Sequence, residues 1–125
     1  MTVKAKTKNI GISVKKLRPY VNLVRGKKAV DALDILSFMN SSSSETLIEL
    51  IKSAIANAES TQYGVKEELI ISTIYADKST TIRRWRARAR GRAGTFNRPQ
   101  SHIYVELKDE NFVEGEEEWV KKLIL

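Results

Sequence analysis

The sequence predicts an α+β fold in which helices come first and a long basic β-hairpin follows. In the first half of the chain, three segments between residues 13 and 60 carry apolar residues at helical spacing. In the second half, residues 69–76 are rich in β-branched side chains, and residues 101–107 alternate strictly between apolar and polar side chains. These two predicted strands enclose an arginine-rich stretch, residues 83–98, around which the chain is organised.

The arginine-rich stretch contains seven arginines and no acidic residue. Five of them alternate with small or aromatic residues, at the period of an extended chain: Arg84, Arg86, Arg88, Arg90 and Arg92. Spacings of four residues between alternate arginines also fit a helix, but Gly91, Gly94 and Pro99 disfavour a long one. We therefore predict a hairpin across residues 78–100, with guanidinium groups on one face and small or aromatic side chains on the other.

A face of guanidinium groups without nearby carboxylates is unsuited to burial against protein, because each group keeps its charge. Guanidinium groups bind phosphate oxygens in pairs and stack on exposed bases. The arginine-rich stretch is therefore typical of a surface that binds a polyanion. The alternative is a solvated basic loop without a partner.

The net charge of +7 is distributed unevenly along the 125 residues. Residues 1–30 carry a formal charge of +9 and residues 78–102 carry +8, and neither block contains an acidic residue. Residues 31–77 carry −6, and residues 103–125 carry −4. Two basic blocks separated by an acidic scaffold indicate two surfaces that face nucleic acid.

Several classes of function find no support in the composition. The chain has no cysteine, so disulfides and thiolate metal sites are excluded. No metal-ligand spacing surrounds the single histidine, His102, and neither a phosphate-binding glycine loop nor a nucleophile elbow is present. No apolar run reaches the roughly 18 residues of a membrane span, and no secretory signal is visible. We therefore expect no catalysis, no cofactor, no metal and no membrane association.

The N-terminal region is predicted to be extended and then helical. In residues 1–12, lysines alternate with small or apolar residues such as Val3 and Ala5, which suits either a basic arm on RNA or a frayed terminus. A helix follows from an N-cap at Ser13. Because proline removes a backbone donor, Pro19 predicts either a kink or a helix that starts at that residue.

The first helix is predicted to carry two adjacent stripes and to end in a basic cluster. One stripe is apolar and faces the core, and its neighbour carries the cations Lys15, Arg18 and Arg25. Gly26 fits the left-handed residue that often ends a helix. The cluster Arg25-Gly26-Lys27-Lys28 is interpreted either as helix capping or as an RNA contact.

Two further helices are predicted, one at residues 28–39 and one that follows the polar break at residues 40–44 and runs to about residue 60. The second helix is expected to face the core with Val30, Leu33 and Leu36. Ser42 and Glu45 have the spacing of a capping box at the start of the third helix. Asn57 is expected to be a hydrogen-bonded structural residue. All of these elements belong to a single predicted domain, residues 1–108, and an acidic C-terminal extension, residues 109–125, forms either a short amphipathic helix or a flexible tail.

Six segments carry a family resemblance in their order and spacing. They are Ser13-Val14-Lys15-Lys16-Leu17-Arg18, Leu23-Val24-Arg25-Gly26-Lys27-Lys28, Ala32-Leu33-Asp34-Ile35-Leu36, Ser53-Ala54-Ile55-Ala56-Asn57-Ala58-Glu59, Arg86-Ala87-Arg88-Ala89-Arg90-Gly91-Arg92-Ala93 and Ser101-His102-Ile103. No one segment suffices, but together they resemble the large-subunit ribosomal proteins of the L twenty-two family over about residues 9–108.

The resemblance implies three helices packed on a small antiparallel three-stranded sheet, with a long protruding basic β-hairpin. It also implies a structural ribosomal protein that binds large-subunit ribosomal RNA, aids its assembly and places the hairpin tip in the wall of the nascent-peptide exit tunnel. The partners would be that RNA, neighbouring large-subunit proteins and the nascent polypeptide, without homo-oligomer formation. The location would be a ribosome, in a bacterial cytoplasm or in an organelle with bacterial-type ribosomes.

The residues that the resemblance and the charge pattern assign to RNA binding lie in the first-helix region and in the arginine-rich stretch. They are Lys15, Lys16, Arg18, Arg25, Lys27, Lys28, Arg83, Arg84, Arg86, Arg88, Arg90, Arg92, Arg98 and His102. The tip that would line the tunnel comprises Arg86, Ala87, Arg88, Ala89, Arg90 and Gly91. The chain departs from the family at Pro19, at Ala87, where the family often has a proline, and in the extension from Asp109.

Two other functions are compatible with the residues. A nucleic-acid-binding regulator would insert the hairpin into a DNA groove and protect a specific duplex sequence. A protein-interaction module would dock the hairpin on an acidic protein, and its complex would survive nuclease. RNA accounts more simply for two basic blocks on an acidic scaffold.

Overall fold

Three helices and five strands follow one another along residues 2–109, the part of the chain that the computed structural model describes. They are β1 (Val3–Ile10), α1 (Val14–Val24), α2 (Ala29–Ser37), α3 (Ser42–Ser60), β2 (Leu69–Lys78), β3 (Ile82–Ala87), β4 (Ala93–Arg98) and β5 (Ser101–Asp109). Short 3₁₀ turns lie at Lys66–Glu68 and Ala89–Gly91. The helix or tail predicted at the C-terminus falls outside the described residues. The predicted α+β class is confirmed.

The sheet of the body has the strand order β1-β5-β2, and both pairs are antiparallel. On its inner face, β5 buries Ile103, Val105 and Leu107 completely. The register of β2 shifts between Ile71 and Thr73, so the inward positions change from odd to even numbers at that bulge. The predicted three-stranded antiparallel sheet is therefore present, with β5 at its centre.

The N-terminal segment is an edge strand of this sheet. Val3 pairs with Leu107 and Ala5 pairs with Val105, and both N-terminal side chains are buried. The predicted extended conformation is confirmed and the frayed terminus is wrong, since residues 3–10 are paired, whereas RNA contact by the lysines of this segment stays a prediction. The backbone of the segment pairs with the edge of β5, and because its side chains alternate, Val3 and Ala5 face the core while the lysines face solvent.

Helices cover one face of the sheet, with α3 against β1 and β5, α1 against β2, and α2 against α3. In α2 the fully buried residues are Ala29, Ala32 and Leu36, whereas Val30 and Leu33 are only half-buried. The inward stripe predicted for this helix was therefore one residue out of phase over its first two turns. Small alanines face the core here because α2 packs close to α3.

The starts of α1 and α3 decide two of the predictions. Helix α1 runs without interruption from Val14 through Pro19, so a helix that starts at Pro19 is wrong. Buried side chains on both sides of the proline, Leu17 before it and Val21 after it, hold the two halves on the same core. The cap of α3 is Ser41, whose hydroxyl accepts a hydrogen bond from the Ser44 amide at 3.2 Å. The predicted cap was one residue later, at Ser42.

The outer face of the sheet is polar and carries a stacked tyrosine pair. The rings of Tyr75 and Tyr104 lie 5.0 Å apart between centroids. The Tyr104 hydroxyl donates a hydrogen bond to Glu106, which, together with desolvation, raises the pKa of Tyr104 to about 12.

On helix α3, Asn57 donates from its side-chain amide to the Lys4 carbonyl at 3.1 Å, in the structural role predicted for it. None of the helices described has the length and apolar content to span a membrane.

Candidate nucleic-acid interface

The arginine-rich stretch forms a two-stranded antiparallel ribbon, residues 82–98, in which β3 pairs with β4 from Ile82–Arg98 to Ala87–Ala93. The ribbon continues the hairpin of the body, where Lys78 pairs with Ser101 and the Ser79 amide donates to the Gln100 carbonyl at 2.9 Å. All side chains of residues 83–93 are exposed. The predicted hairpin is confirmed, and its far half contains no core of its own.

Asn9 fastens the root of the ribbon to the body. It adopts a left-handed conformation (φ 55°) where the register of β1 shifts. In that conformation its side-chain oxygen accepts a hydrogen bond from the Ser79 hydroxyl at 2.6 Å. Its backbone N–H donates to Nδ1 of His102 at 3.1 Å. His102, predicted to bind RNA, therefore has a partner within the protein through one ring nitrogen.

The ribbon has two faces of different chemistry. Arg84 pairs with Phe96 and Arg86 pairs with Gly94, so these four residues share one side, and the Arg86 guanidinium lies over the Phe96 ring at 4.5 Å. Arg88 lies on the same side, because a Cβ atom on Gly94 would come within 2.7 Å of its Cγ. We call this side the arginine face. The opposite side, the tryptophan face, carries Arg83, Trp85 and Ala87.

The alternation of arginines ends at the tip. Arg90 and Gly91 both have positive φ, 60° and 71°, and the Arg88 amide donates to the Arg92 carbonyl across the turn. The prediction that all five alternating arginines lie on one face is therefore wrong at Arg90. Arg92 is extended and faces Arg88 across the ribbon, so it stays on the arginine face, whereas Arg90 leaves the extended conformation where the chain reverses.

Within residues 2–109, the charge of the ribbon is not neutralised by ion pairs. In the described part of the chain, no arginine of residues 83–98 forms an ion pair, and the nearest acidic residues in sequence lie at positions 77 and 106. Guanidinium groups this close together repel one another, and only salt or an external anion can screen that repulsion. The ribbon therefore has the charge and the exposure that are typical of a surface that binds a polyanion.

A second group of cations lines a cleft between the start of α1 and the root of the ribbon. The cleft has a volume of about 290 Å³, and its walls include Lys15, Arg18 and Lys78. Ser13 occupies the N-cap position of α1, as predicted, but its side chain accepts no capping hydrogen bond. The free amide groups of a helix N-terminus attract anions. Lys78 was not among the predicted RNA-binding residues, although it lies within the second basic block, residues 78–102.

The basic cluster after α1 has a structural role that the sequence did not show. Its backbone runs along the open edge of β2, with hydrogen bonds from the Gly26 amide to the Ile71 carbonyl at 3.1 Å and from the Ile71 amide to the Lys27 carbonyl at 2.9 Å. The Arg25 guanidinium donates to the Ile74 carbonyl at 2.9 Å and to the Asn22 side chain at 3.0 Å. The cluster therefore protects an edge strand from solvent. Gly26 has φ +80°, as predicted for the residue that ends the helix.

The predicted RNA-binding residues thus fall into four groups. The ribbon carries Arg83, Arg84, Arg86, Arg88, Arg90, Arg92 and Arg98. The cleft is lined by Lys15 and Arg18. Exposed elsewhere on the body are Lys16, Lys27 and Lys28. Two members of the set, Arg25 and His102, use side-chain nitrogens to hold the fold together. Within residues 2–109, no three His, Cys, Asp or Glu side chains gather as metal ligands.

Comparison with known proteins agrees with this geometry. Residues 5–108 match the family described as ribosomal protein L22p/L17e. The chain belongs to this family. It is 43% identical over 109 residues to the large ribosomal subunit protein uL22 of Dehalococcoides mccartyi, covering 87% of this chain and 100% of that protein. It is 38% identical over 109 residues to uL22 of Staphylococcus aureus, covering 87% of this chain and 93% of the relative.

Membership of the L22p/L17e family sets the class of function. A protein of this family is a structural constituent of the large ribosomal subunit, where it acts in translation as part of the ribosome and not as an enzyme. The relatives named above are bacterial. The matched residues include the whole ribbon and the cation-lined cleft but end before the acidic C-terminal extension, so the predicted boundary near residue 108 stays a prediction.

Proposed function

We propose that the ribbon and the cation-lined cleft bind large-subunit ribosomal RNA, and that this binding helps RNA segments to approach one another during assembly of the subunit. The observation that carries the proposal is a ribbon with seven arginines, fully exposed at residues 83–93 and without an ion pair in the described chain. Phosphates are the anions that a ribosome supplies in large number. Because the ribbon joins the body only at its root, the exposed residues 83–93 are open to RNA.

The ribbon carries its arginines outward from the cation-lined cleft toward the tip. The cleft is at the root of the ribbon, where Lys78 precedes β3, and the tip lies beyond the six paired residues of each strand. At about 3.3 Å per residue, the paired part alone separates root from tip by roughly 20 Å. One protein molecule therefore reaches phosphates of RNA segments that are that far apart.

The salt dependence of RNA binding tests the proposal. We expect the affinity of the full chain for a transcript of large-subunit ribosomal RNA to fall by about a thousandfold between 50 and 200 mM salt, the change produced by about six phosphate contacts. Filter binding at four salt concentrations measures the slope, with a DNA duplex of the same length as the control. Affinity that does not change with salt, or tighter binding to the duplex, would contradict the proposal.

We further propose that the tip, Arg86 to Gly91, lines the exit tunnel and contacts the nascent polypeptide. The supports are the family resemblance and the shape of the tip, whose alternate residues are small: Ala87, Ala89, Gly91 and Ala93. A slim, exposed turn with guanidinium groups at its sides can enter a narrow space between RNA segments. Like the rest of the body, the tip acts here as part of one ribosome, without homo-oligomer formation.

Photo-crosslinking tests the position of the tip. A photoreactive side chain that replaces Ala89 is expected to crosslink to a labelled nascent chain on stalled ribosomes. The same side chain in place of Lys66, which lies in the exposed turn before β2, is the control and should give no such crosslink. If both variants enter the large subunit and neither crosslinks, or both do so equally, the tunnel position is wrong.

A further inference from the structure

The tryptophan face of the ribbon presents an aromatic ring that residues 2–109 leave largely uncovered. Trp85 is 71% exposed, and its partner across the ribbon, Thr95, is exposed as well. The neighbouring positions on this face include Ala87 and its partner Ala93, which are too small to cover an indole. Most of the side chain is therefore accessible to a flat ligand.

The second aromatic side chain of the ribbon behaves differently. Phe96 lies on the arginine face, is half-buried, and is covered by the Arg86 guanidinium at 4.5 Å. Of the two rings in residues 82–98, one therefore stabilises the ribbon and one is left open. Scattered apolar side chains on a protein surface are ordinary, but a tryptophan normally buries roughly 150–250 Å² and contributes little to folding where it is exposed.

The surroundings of Trp85 identify the chemistry of its partner. Arg83 shares its face, Arg84 and Arg86 flank it in sequence, and the ribbon contains no carboxylate. An apolar protein surface that covered the indole would also cover these guanidinium groups without neutralising them, which is costly. A nucleotide satisfies both requirements, because its base stacks on the ring and its phosphates pair with the guanidinium groups.

We propose that Trp85 is a stacking platform for an unpaired nucleobase of ribosomal RNA. The inference rests on the proposed RNA binding and adds to it a division between the two faces. The arginine face binds phosphates, which carry no sequence information, and the tryptophan face takes up a base that is splayed out of its helix. The ribbon therefore enters the RNA at a site where at least one nucleotide is unstacked.

Stacking and phosphate contacts differ in their dependence on salt, and this difference provides the test. Removal of a stacked ring weakens binding without releasing fewer counterions, so the slope of log affinity against log salt is unchanged. We expect Trp85→Leu to weaken RNA binding by about 5- to 150-fold at constant slope. Trp85→Phe keeps a π face and should stay within about threefold of the original affinity.

Fluorescence gives an independent readout. The chain contains two tryptophans, Trp85 and Trp119, so a Trp119→Phe background leaves Trp85 as the single reporter. Addition of a large-subunit ribosomal RNA transcript is expected to quench its emission strongly and to shield it from iodide. Unfolding by urea should be the same for the Leu and Phe variants, since most of the Trp85 side chain lies in solvent.

The outcomes separate this inference from the proposed function. If the unsubstituted chain binds RNA with a steep salt slope while Trp85→Leu binds equally well, stacking is overturned and RNA binding stands. Emission that is unchanged by RNA but quenched by other large-subunit proteins would overturn it in favour of a protein contact. If no variant binds ribosomal RNA, the proposed function itself fails, and the stacking site with it. Loss of affinity in Trp85→Leu, with retention in Trp85→Phe and quenching by RNA, supports the stacking site.

Discussion

Replacing Arg84 and Arg88 together by glutamine is expected to weaken binding to ribosomal RNA about a hundredfold at 0.1 M salt. Both side chains lie on the arginine face, and neither forms an ion pair in the described chain. When one arginine–phosphate contact is lost, binding releases about one counterion fewer. At 0.1 M salt, relative to 1 M, this lowers the affinity by about a factor of eight. The salt slope should therefore fall by about two.

The substitution leaves the fold of the ribbon in place. Arg86 keeps its position over Phe96, and no backbone hydrogen bond involves the exchanged side chains. A matched control is Lys52→Gln with Lys66→Gln, which lowers the net charge from +7 by the same amount but lies on exposed positions of the acidic scaffold. Filter binding at four salt concentrations measures both variants. An equal loss in the control would show that net charge, and not the arginine face, controls affinity.

Substitution of Arg25 by alanine is expected to lower the free energy of unfolding by about 2 kcal/mol, because charged donors to carbonyl groups contribute about 1.5–3 kcal/mol. The guanidinium reaches the Ile74 carbonyl through Nε at 3.3 Å and Nη2 at 2.9 Å. These bonds fasten the end of α1 to the open edge of β2. Their loss leaves a partly buried carbonyl without this donor.

The neighbouring Lys27→Ala is the control for Arg25→Ala. Lys27 is exposed and holds β2 through its backbone carbonyl, which alanine retains. We expect its unfolding free energy to stay within about 0.5 kcal/mol of the original value. Urea unfolding followed by circular dichroism measures both variants. Equal stability of the two would mean that Arg25 serves only as an external cation, as the charge pattern alone had suggested.

Much of the fold could be predicted because the patterns involved are local. The strands flanking the ribbon and the helices α1 and α3 follow from periodicity, since one face of each is apolar and the other polar. The ribbon follows from the alternation of arginines and from Gly91 and Gly94, which disfavour a helix. Gly26 was identified from its place after an apolar stripe, and its positive φ agrees.

The errors arose where a distant part of the chain supplied the missing partner, or where neighbouring residues of the same type offered equal local alternatives. Residues 3–10 form a strand only because β5 offers an unpaired edge, and no local signal shows that edge. Ser41 caps α3, and not Ser42, although all residues from 41 to 44 are serines and local chemistry cannot choose among them. In α2 the close approach of α3 selects Ala29 and Ala32 for the core in place of the larger Val30 and Leu33.

The sequence by itself determined the family, the α+β class, the basic hairpin and the absence of thiolate chemistry, because each depends on residue type and spacing along the chain. Only the tertiary structure separated cations that hold the fold from cations that are free to bind. It joined Arg25 to Ile74 across 49 residues and Asn9 to His102 across 93, and it brought Lys78 beside Lys15 and Arg18. It also placed Trp85 and Phe96 on opposite faces of one ribbon, since strand register, and not composition, decides which side chains share a surface.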